Sequence, residues 1–224
     1  MSSFVLKIIA AASMLIDHMG LLLFPQYRFM RILGRLAFPL YAFCIAEGFY
    51  YTRDRKRYFL QIFVLGLACQ IVYFIADGSM YLGVLIAFSL SILLMWTLDG
   101  VKKAFAAKDG TMKAAAMFVL ALAAGAALCH FMTVDYGFMG ILLPVLAFVS
   151  DKKWIRLGLF SLGLGAMCAV IYSSGGLDVQ WWALAVLPLL ALYNGKPGRY
   201  RMKYFFYIFY PAHLAILYLI AMFI

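Results

Sequence analysis

The feature that most constrains this chain is the near-unbroken succession of apolar stretches along its 224 residues, each about as long as a lipid bilayer is thick and parted only by short connections. A helix needs about 20 predominantly apolar residues to cross the hydrocarbon, with a working range of about 17–25. On that measure about nine membrane segments are expected, at 4–24, 31–51, 58–76, 81–98, 113–131, 137–150, 155–172, 181–193 and 203–223. The sixth and eighth are short, which suits tilted, re-entrant or protein-buried backbone. Hydrophobic residues make up 67% and charged residues 12% of the chain, against about 45–50% and about 25% in soluble domains. The fold expected is an all-α polytopic helical bundle, one membrane domain over residues 1–224. The first apolar run has no small-residue cleavage site and carries an acid and a histidine, so it reads as a retained span and not a signal peptide.

The net charge of +10 would suggest nucleic acid in a soluble protein. Here its placement gives a simpler cause, and no nucleic-acid partner is expected. Lys7 and the connections 53–57, 99–113, 151–156 and 194–203 hold 16 of the 19 Lys and Arg residues. The alternate connections 77–80, 133–136 and 173–180 hold none, which by the positive-inside bias places the N-terminus in the cytoplasm. A multi-pass location in the cell's inner (plasma) membrane follows as an expectation. The four cysteines lie singly in apolar segments without ligand spacing, so they read as small buried hydrophobes, and no metal site is expected.

Charges inside the apolar segments are costly and mark pathways or sites. Asp17 and His18 are neighbours in the first segment, about 20 Å along it from its inner end at 1.5 Å per residue. Arg35 sits in Gly34-Arg35-Leu36-Ala37-Phe38-Pro39, four residues before a helix-breaking proline, and should have a partner. Adjacent helical residues point about 100° apart, so Asp17 and His18 cannot form one dyad; Asp17 is the natural partner of Arg35, and His18 is free to face a ligand. Arg28 and Arg31 are placed to snorkel to outer headgroups. The stripe Ala10, Ser13, Asp17, Gly20 suits close packing on a neighbour and suggests a central first helix. Asp135 and Tyr136 stand at the outer entrance of the sixth segment, with His130 a turn away at the headgroups. His213 lies near the midplane of the last segment, and Glu47 lies in the inner half of the second, where basic residues could pair with it.

An imidazole near a carboxylate in a low-dielectric site can serve as general base, and a fixed Arg can hold a developing oxyanion. That set suits acyl transfer to an amine or hydroxyl. It also suits proton-coupled transport, in which Asp17, Glu47 and His213 would form a relay. A buried Asp17–Arg35 pair with a core histidine is the plain structural reading. At the inner side, Arg53 and Arg57 belong to a cluster that marks topology and meets anionic lipid; functionally, they would draw the phosphates of a cytosolic donor. Asn194-Gly195-Lys196-Pro197-Gly198 is a turn whose Lys196 and backbone amides could approach a phosphate.

Several motifs carry a family resemblance. Leu6-Lys7-Ile8-Ile9 followed by Met14-Leu15-Ile16-Asp17-His18, the Gly34–Pro39 string, Ala46-Glu47-Gly48-Phe49, Asp135-Tyr136-Gly137-Phe138, Leu192-Tyr193-Asn194-Gly195-Lys196 and Tyr210-Pro211-Ala212-His213-Leu214 together resemble the TraX family of polytopic membrane proteins, over nearly the whole chain. The resemblance implies acetylation, since the founding member is implied to N-acetylate conjugative pilin. It also implies kinship with transmembrane acyltransferases that take acetyl from cytosolic acetyl-CoA through an intramembrane His and Arg. By position those roles fall on His18 and Arg35 with Asp17 in support. Glu47, Asp135, Tyr136 and His213 would line the cavity, and Arg53, Arg57, Asn194 and Lys196 would meet the CoA. The acceptor would be a peptide, glycan or small molecule reached from the outer side, and the partners include membrane lipid. A proton-coupled transporter or flippase is the alternative.

Overall fold

A computed structural model describes residues 1–78, 80–198 and 203–223. Its helices are α1 (Ser3–Leu22), α2 (Arg28–Gly34), α3 (Ala37–Tyr51), α4 (Arg55–Asp77), α5 (Val84–Ala107), α6 (Thr111–Phe131), α7 (Gly137–Phe148), α8 (Lys153–Ser173), a 3-10 helix (Asp178–Val186) continued by α9 (Leu187–Ala191), and α10 (Lys203–Ala221). Among the described residues there is no strand, and the all-α polytopic bundle stands. Among the described residues six helical stretches, Arg28–Tyr51 counted as one, are long and apolar enough to cross a membrane; Gly137–Phe148, Asp178–Ala191 and Ile208–Ala221 are shorter apolar helices. These coincide with the nine expected segments.

Three departures have local causes. The second segment is split into α2 and α3 because Pro39 has no N–H for the Arg35 carbonyl, so the helix restarts at Ala37. The fifth helix runs on through residues assigned to a loop, since the Ala- and Lys-rich stretch after Asp99 favours helix; it ends where Lys108 turns left-handed at φ 55°. The third concerns what is central. α3 is buried along most of its length, as are the inner faces of α5 and α7. α1 flanks this core, packing on α2, α3 and α10. The expectation of a central first helix is corrected: its small-residue stripe does seat it tightly, but on one side only. Of α6, only Gly125 is buried, and its apolar surface faces outward.

Close approach of α1 to α2 depends on two glycines. A Cβ at Gly20 would lie 2.7 Å from the Met30 Cβ, and one at Gly34 would lie 2.1 Å from an Asp17 carboxylate oxygen. The end of the bundle carrying the N-terminus also carries the basic connections, and is called the basic end below. There the first residues are strapped to the turn after α9: the Asn194 N–H donates to the Met1 carbonyl at 2.9 Å, and the Ser3 N–H donates to the Lys196 carbonyl at 2.9 Å.

Candidate functional site

Two cavities enter the bundle from opposite ends. The one at the basic end, about 660 Å³, is bounded by Ser3, Lys7, Asp54, Arg57 and Pro197 at its mouth and by apolar side chains of α3, α4 and α5 within. The other, about 760 Å³, holds Asp17, His18, Arg31, Arg35, Asp135, Tyr136 and Gln180. Tyr41, Phe88 and Tyr210 line both, so the cavities meet across three aromatic rings.

The charged layer is built at this second cavity, called the outer one because it lies away from the basic end, the cavity at the basic end being the inner one. Arg35 Nη2 donates to both Asp17 carboxylate oxygens at 2.6 and 2.7 Å. Arg31 Nη1 adds a 2.9 Å ion pair to the same carboxylate and donates to the Asp17 backbone carbonyl at 3.1 Å. Arg35 Nη1 reaches Gln180 Oε1 at 3.2 Å, and Arg35 Nε donates to the Arg31 carbonyl at 3.3 Å. The α2–α3 break aims both arginines at α1, and glycine at 34 leaves space for the carboxylate between them. Arg31, expected at the headgroups, is therefore a member of the site, because a half-buried carboxylate can accept from a second guanidinium beside the first. Arg28 does stay at the rim, paired with exposed Asp178.

His18 stands on the cavity wall with His213 behind it. His213 is 5% exposed, and its Nε2 is 3.1 Å from His18 Nδ1 while its Nδ1 is 2.8 Å from the Phe209 carbonyl. These contacts assign the protons for neutral rings. A carbonyl only accepts, so His213 Nδ1 carries the hydrogen; His213 Nε2 then accepts, so His18 Nδ1 donates. The lone pair left over is on His18 Nε2. His213 also stacks on Phe209 at 5.1 Å between centroids, so the second ring is held in orientation.

Asp135 and Tyr136 enter the same cavity from the α6–α7 connection. The connection is pinned by the Leu82 N–H to the Thr133 carbonyl and the Asp135 N–H to the Leu82 carbonyl, both 2.9 Å. The Tyr81 hydroxyl donates to Asp135 at 2.6 Å. Burial, the largest effect, raises the Asp135 carboxyl to about 6, opposed by the Tyr81 hydrogen bond and by Arg35. Tyr136 takes a left-handed backbone, φ 58°, and stacks on Phe38 at 3.8 Å. A non-glycine residue there stores strain of about 1–3 kcal/mol.

Other sequence-derived site residues are placed elsewhere. Glu47, expected along the cavity, is sealed in a separate centre, where Arg156 Nη2 binds one carboxylate oxygen and the Tyr193 hydroxyl donates to the other at 2.7 Å. Both its oxygens are thereby taken. Arg57 is at the mouth of the inner cavity; Arg53 is exposed and is not among the residues that line it. Asn194 and Lys196 are exposed on the turn, whose amides are already engaged, Asn194 N–H by Met1 and Lys196 N–H by the Asn194 side chain at 3.1 Å. His130 is exposed and set against Phe131. Residue reasoning missed Gln180 and Lys7 as site members. The signal for Gln180 was a neutral amide at the start of a short apolar segment.

The sequence profile of the TraX protein family matches residues 2–221. Relatives include the probable fimbrial assembly protein FimC, serogroup H1, of Dichelobacter nodosus, 27% identical with 96% of this chain and 94% of the relative aligned. Protein TraX of Escherichia coli is also 27% identical, over 97% of this chain and 86% of its own length. No solved structure matches.

Proposed function

The chain belongs to the TraX protein family, and on that premise we propose that it is an inner-membrane acetyltransferase moving acetyl from cytosolic acetyl-CoA to an amine or hydroxyl presented from the outer side. The observation that carries this reading is the meeting of two cavities from opposite ends at Tyr41, Phe88 and Tyr210, with a base-bearing histidine on the outer wall. Such a layout lets donor and acceptor stay on their own sides of the bilayer while their reacting ends touch.

In this reading Lys7 and Arg57, at the inner mouth, hold the donor's phosphates by charge. The thioester reaches the three-ring neck. His18 Nε2 takes the proton of the acceptor as its nitrogen or oxygen attacks the thioester carbon. The C–S bond then breaks, and the imidazolium returns the proton to the departing thiolate. Proton uptake at Nε2 is supported by the neighbouring His213 Nε2, which accepts from His18 Nδ1 throughout. Arg35, locked on Asp17, supplies fixed positive charge in the chamber where the oxyanion develops.

The transporter alternative is weaker for a stated reason. Its relay of Asp17, Glu47 and His213 is interrupted, since Glu47 is closed off by Arg156 and Tyr193. The test is acetyl transfer or hydrolysis by purified protein with acetyl-CoA, together with thermal stabilisation by CoA, which binding to the folded state alone produces. The proposal expects both, and expects His18→Ala to abolish turnover while keeping the CoA-induced stabilisation. Full activity in that variant, or pH-driven substrate flux in liposomes without any CoA effect, overturns it.

A further inference from the structure

One residue of the outer cavity carries a buried side-chain donor with no partner among the described residues. Gln180, 4% exposed, lies on the first turn of the 3-10 helix and is one of the residues lining this cavity. Its side-chain nitrogen has no hydrogen-bond partner among the described residues. The orientation of the amide is fixed by chemistry: a guanidinium has only donors, so the atom 3.2 Å from Arg35 Nη1 must be the oxygen. The NH₂ group is thereby turned away from Arg35 as a donor without an acceptor. Leaving a buried donor unmet is costly, about 1–3 kcal/mol, and such groups are tolerated where a ligand completes them. Its surroundings say what kind of ligand. Two arginines meet at the Asp17 carboxylate beside Gln180, and the cavity's other carboxylate, Asp135, is engaged by the Tyr81 hydroxyl, so next to Gln180 the donors outnumber the free acceptors. An incoming group should bring an acceptor oxygen and no further positive charge at this point.

We propose that Gln180 is an acceptor-substrate residue, its side-chain N–H donating to an sp2 oxygen, carbonyl or carboxylate, that the acyl acceptor carries near its nucleophilic nitrogen or hydroxyl. Arg35 has a second task in this arrangement, holding the Gln180 amide the right way round. A bare alkylamine would reach His18 but leave Gln180 unmet, and discrimination on this basis follows the rule that buried polar groups reject analogues lacking their partner.

The inference rests on the acetyltransfer reading for calling the ligand an acceptor, so its test is a binding measurement that needs no turnover. Alaninamide, alanine and 2-aminopropane share a skeleton and differ only in the oxygen-bearing group. Titrated onto the purified full chain, at least one of the first two should bind about tenfold or more tightly than 2-aminopropane. Alaninamide ahead of alanine identifies a neutral carbonyl, and the reverse order a carboxylate. In Gln180→Leu the advantage over 2-aminopropane should vanish. Gln180→Glu keeps an oxygen for Arg35 and so protects the fold, yet it loses the donor and should lose the advantage equally. Equal or undetectable binding of all three by the unaltered chain, or a preference that survives in Gln180→Glu, overturns the proposal. Absence of any CoA effect with the preference intact would instead remove the acetyltransfer reading and leave the oxygen site standing.

Discussion

Two carboxylates inside the same bundle, half-buried Asp17 and buried Glu47, each pair with arginine, and they are completed in opposite ways. Glu47 has one oxygen on Arg156 and the other on the Tyr193 hydroxyl, while Arg156 also donates from Nε to the Ala147 carbonyl at 2.7 Å and lies over Phe43. That centre ties α3, α7, α8 and the end of α9 together with every strong partner consumed. Asp17 is shared between two arginines, one of which passes on to Gln180, and the whole faces a cavity. The difference separates a charge pair that fixes a fold from one that prepares a chamber: the first is closed, the second has hydrogen-bonding capacity left over.

The sharpest way to break the comparison is to treat both centres alike. Glu47→Leu leaves the Arg156 guanidinium uncompensated and should cost about 3–5 kcal/mol in chemical unfolding in detergent; Arg156→Met added to it should recover most of that, since apolar replacement of a buried pair is often neutral. Matching apolar changes at Asp17, Arg35 and Arg31, which shares that carboxylate, should recover stability in the same manner but no acetyl transfer, and recovered transfer would erase the distinction. Next in size is His213→Phe, which keeps the ring stacked on Phe209 but takes away the acceptor for His18 Nδ1. Turnover should fall about 10²-fold or more with little change in melting temperature, a magnitude typical of losing positioned acid–base catalysis. Gly34→Ala comes third, because its methyl would overlap the Asp17 carboxylate. A loss of about 1–3 kcal/mol is expected from overpacking, with acetyl transfer reduced beyond what the folded fraction explains.

The smallest effect is a pH dependence. Asp135, raised by burial to about 6, favours its protonated form in the folded state relative to the unfolded chain. Its contribution to stability is therefore fully present below the ordinary carboxylate value of about 4 and is lost as pH rises through about 6. Asp135→Asn should flatten the melting temperature between pH 4 and 7, and an unchanged slope would show that another group sets it.

Much of the scaffold was legible because the constraint is one-dimensional. Bilayer thickness sets segment length, and Pro39 marks the second segment's break. The division of labour between Asp17 and His18 was legible too, from helical geometry alone. What escaped was partnership at long range. Gln180 is 145 residues from Arg35, His213 is 195 from His18, and Arg156 is 109 from Glu47, and no local periodicity records such pairings. Arg31 was misjudged for a related reason: its depth suggested headgroups, whereas the helix break behind it turned it inward. The left-handed backbone at Tyr136 lies outside what its residue type suggests, because it is set by tertiary context, the stack on Phe38 and the hydrogen bonds that pin the connection.

The neck formed by Tyr41, Phe88 and Tyr210 has a consequence for the cell as well as for chemistry. Two vestibules that meet inside the bundle are parted by these three rings, and in a membrane that carries an ion gradient continuous water between the vestibules would be a leak. Their bulk is then under a second demand, independent of any substrate: a chain that widened the passage would meet the energetic burden of an ion leak before it met any change in specificity.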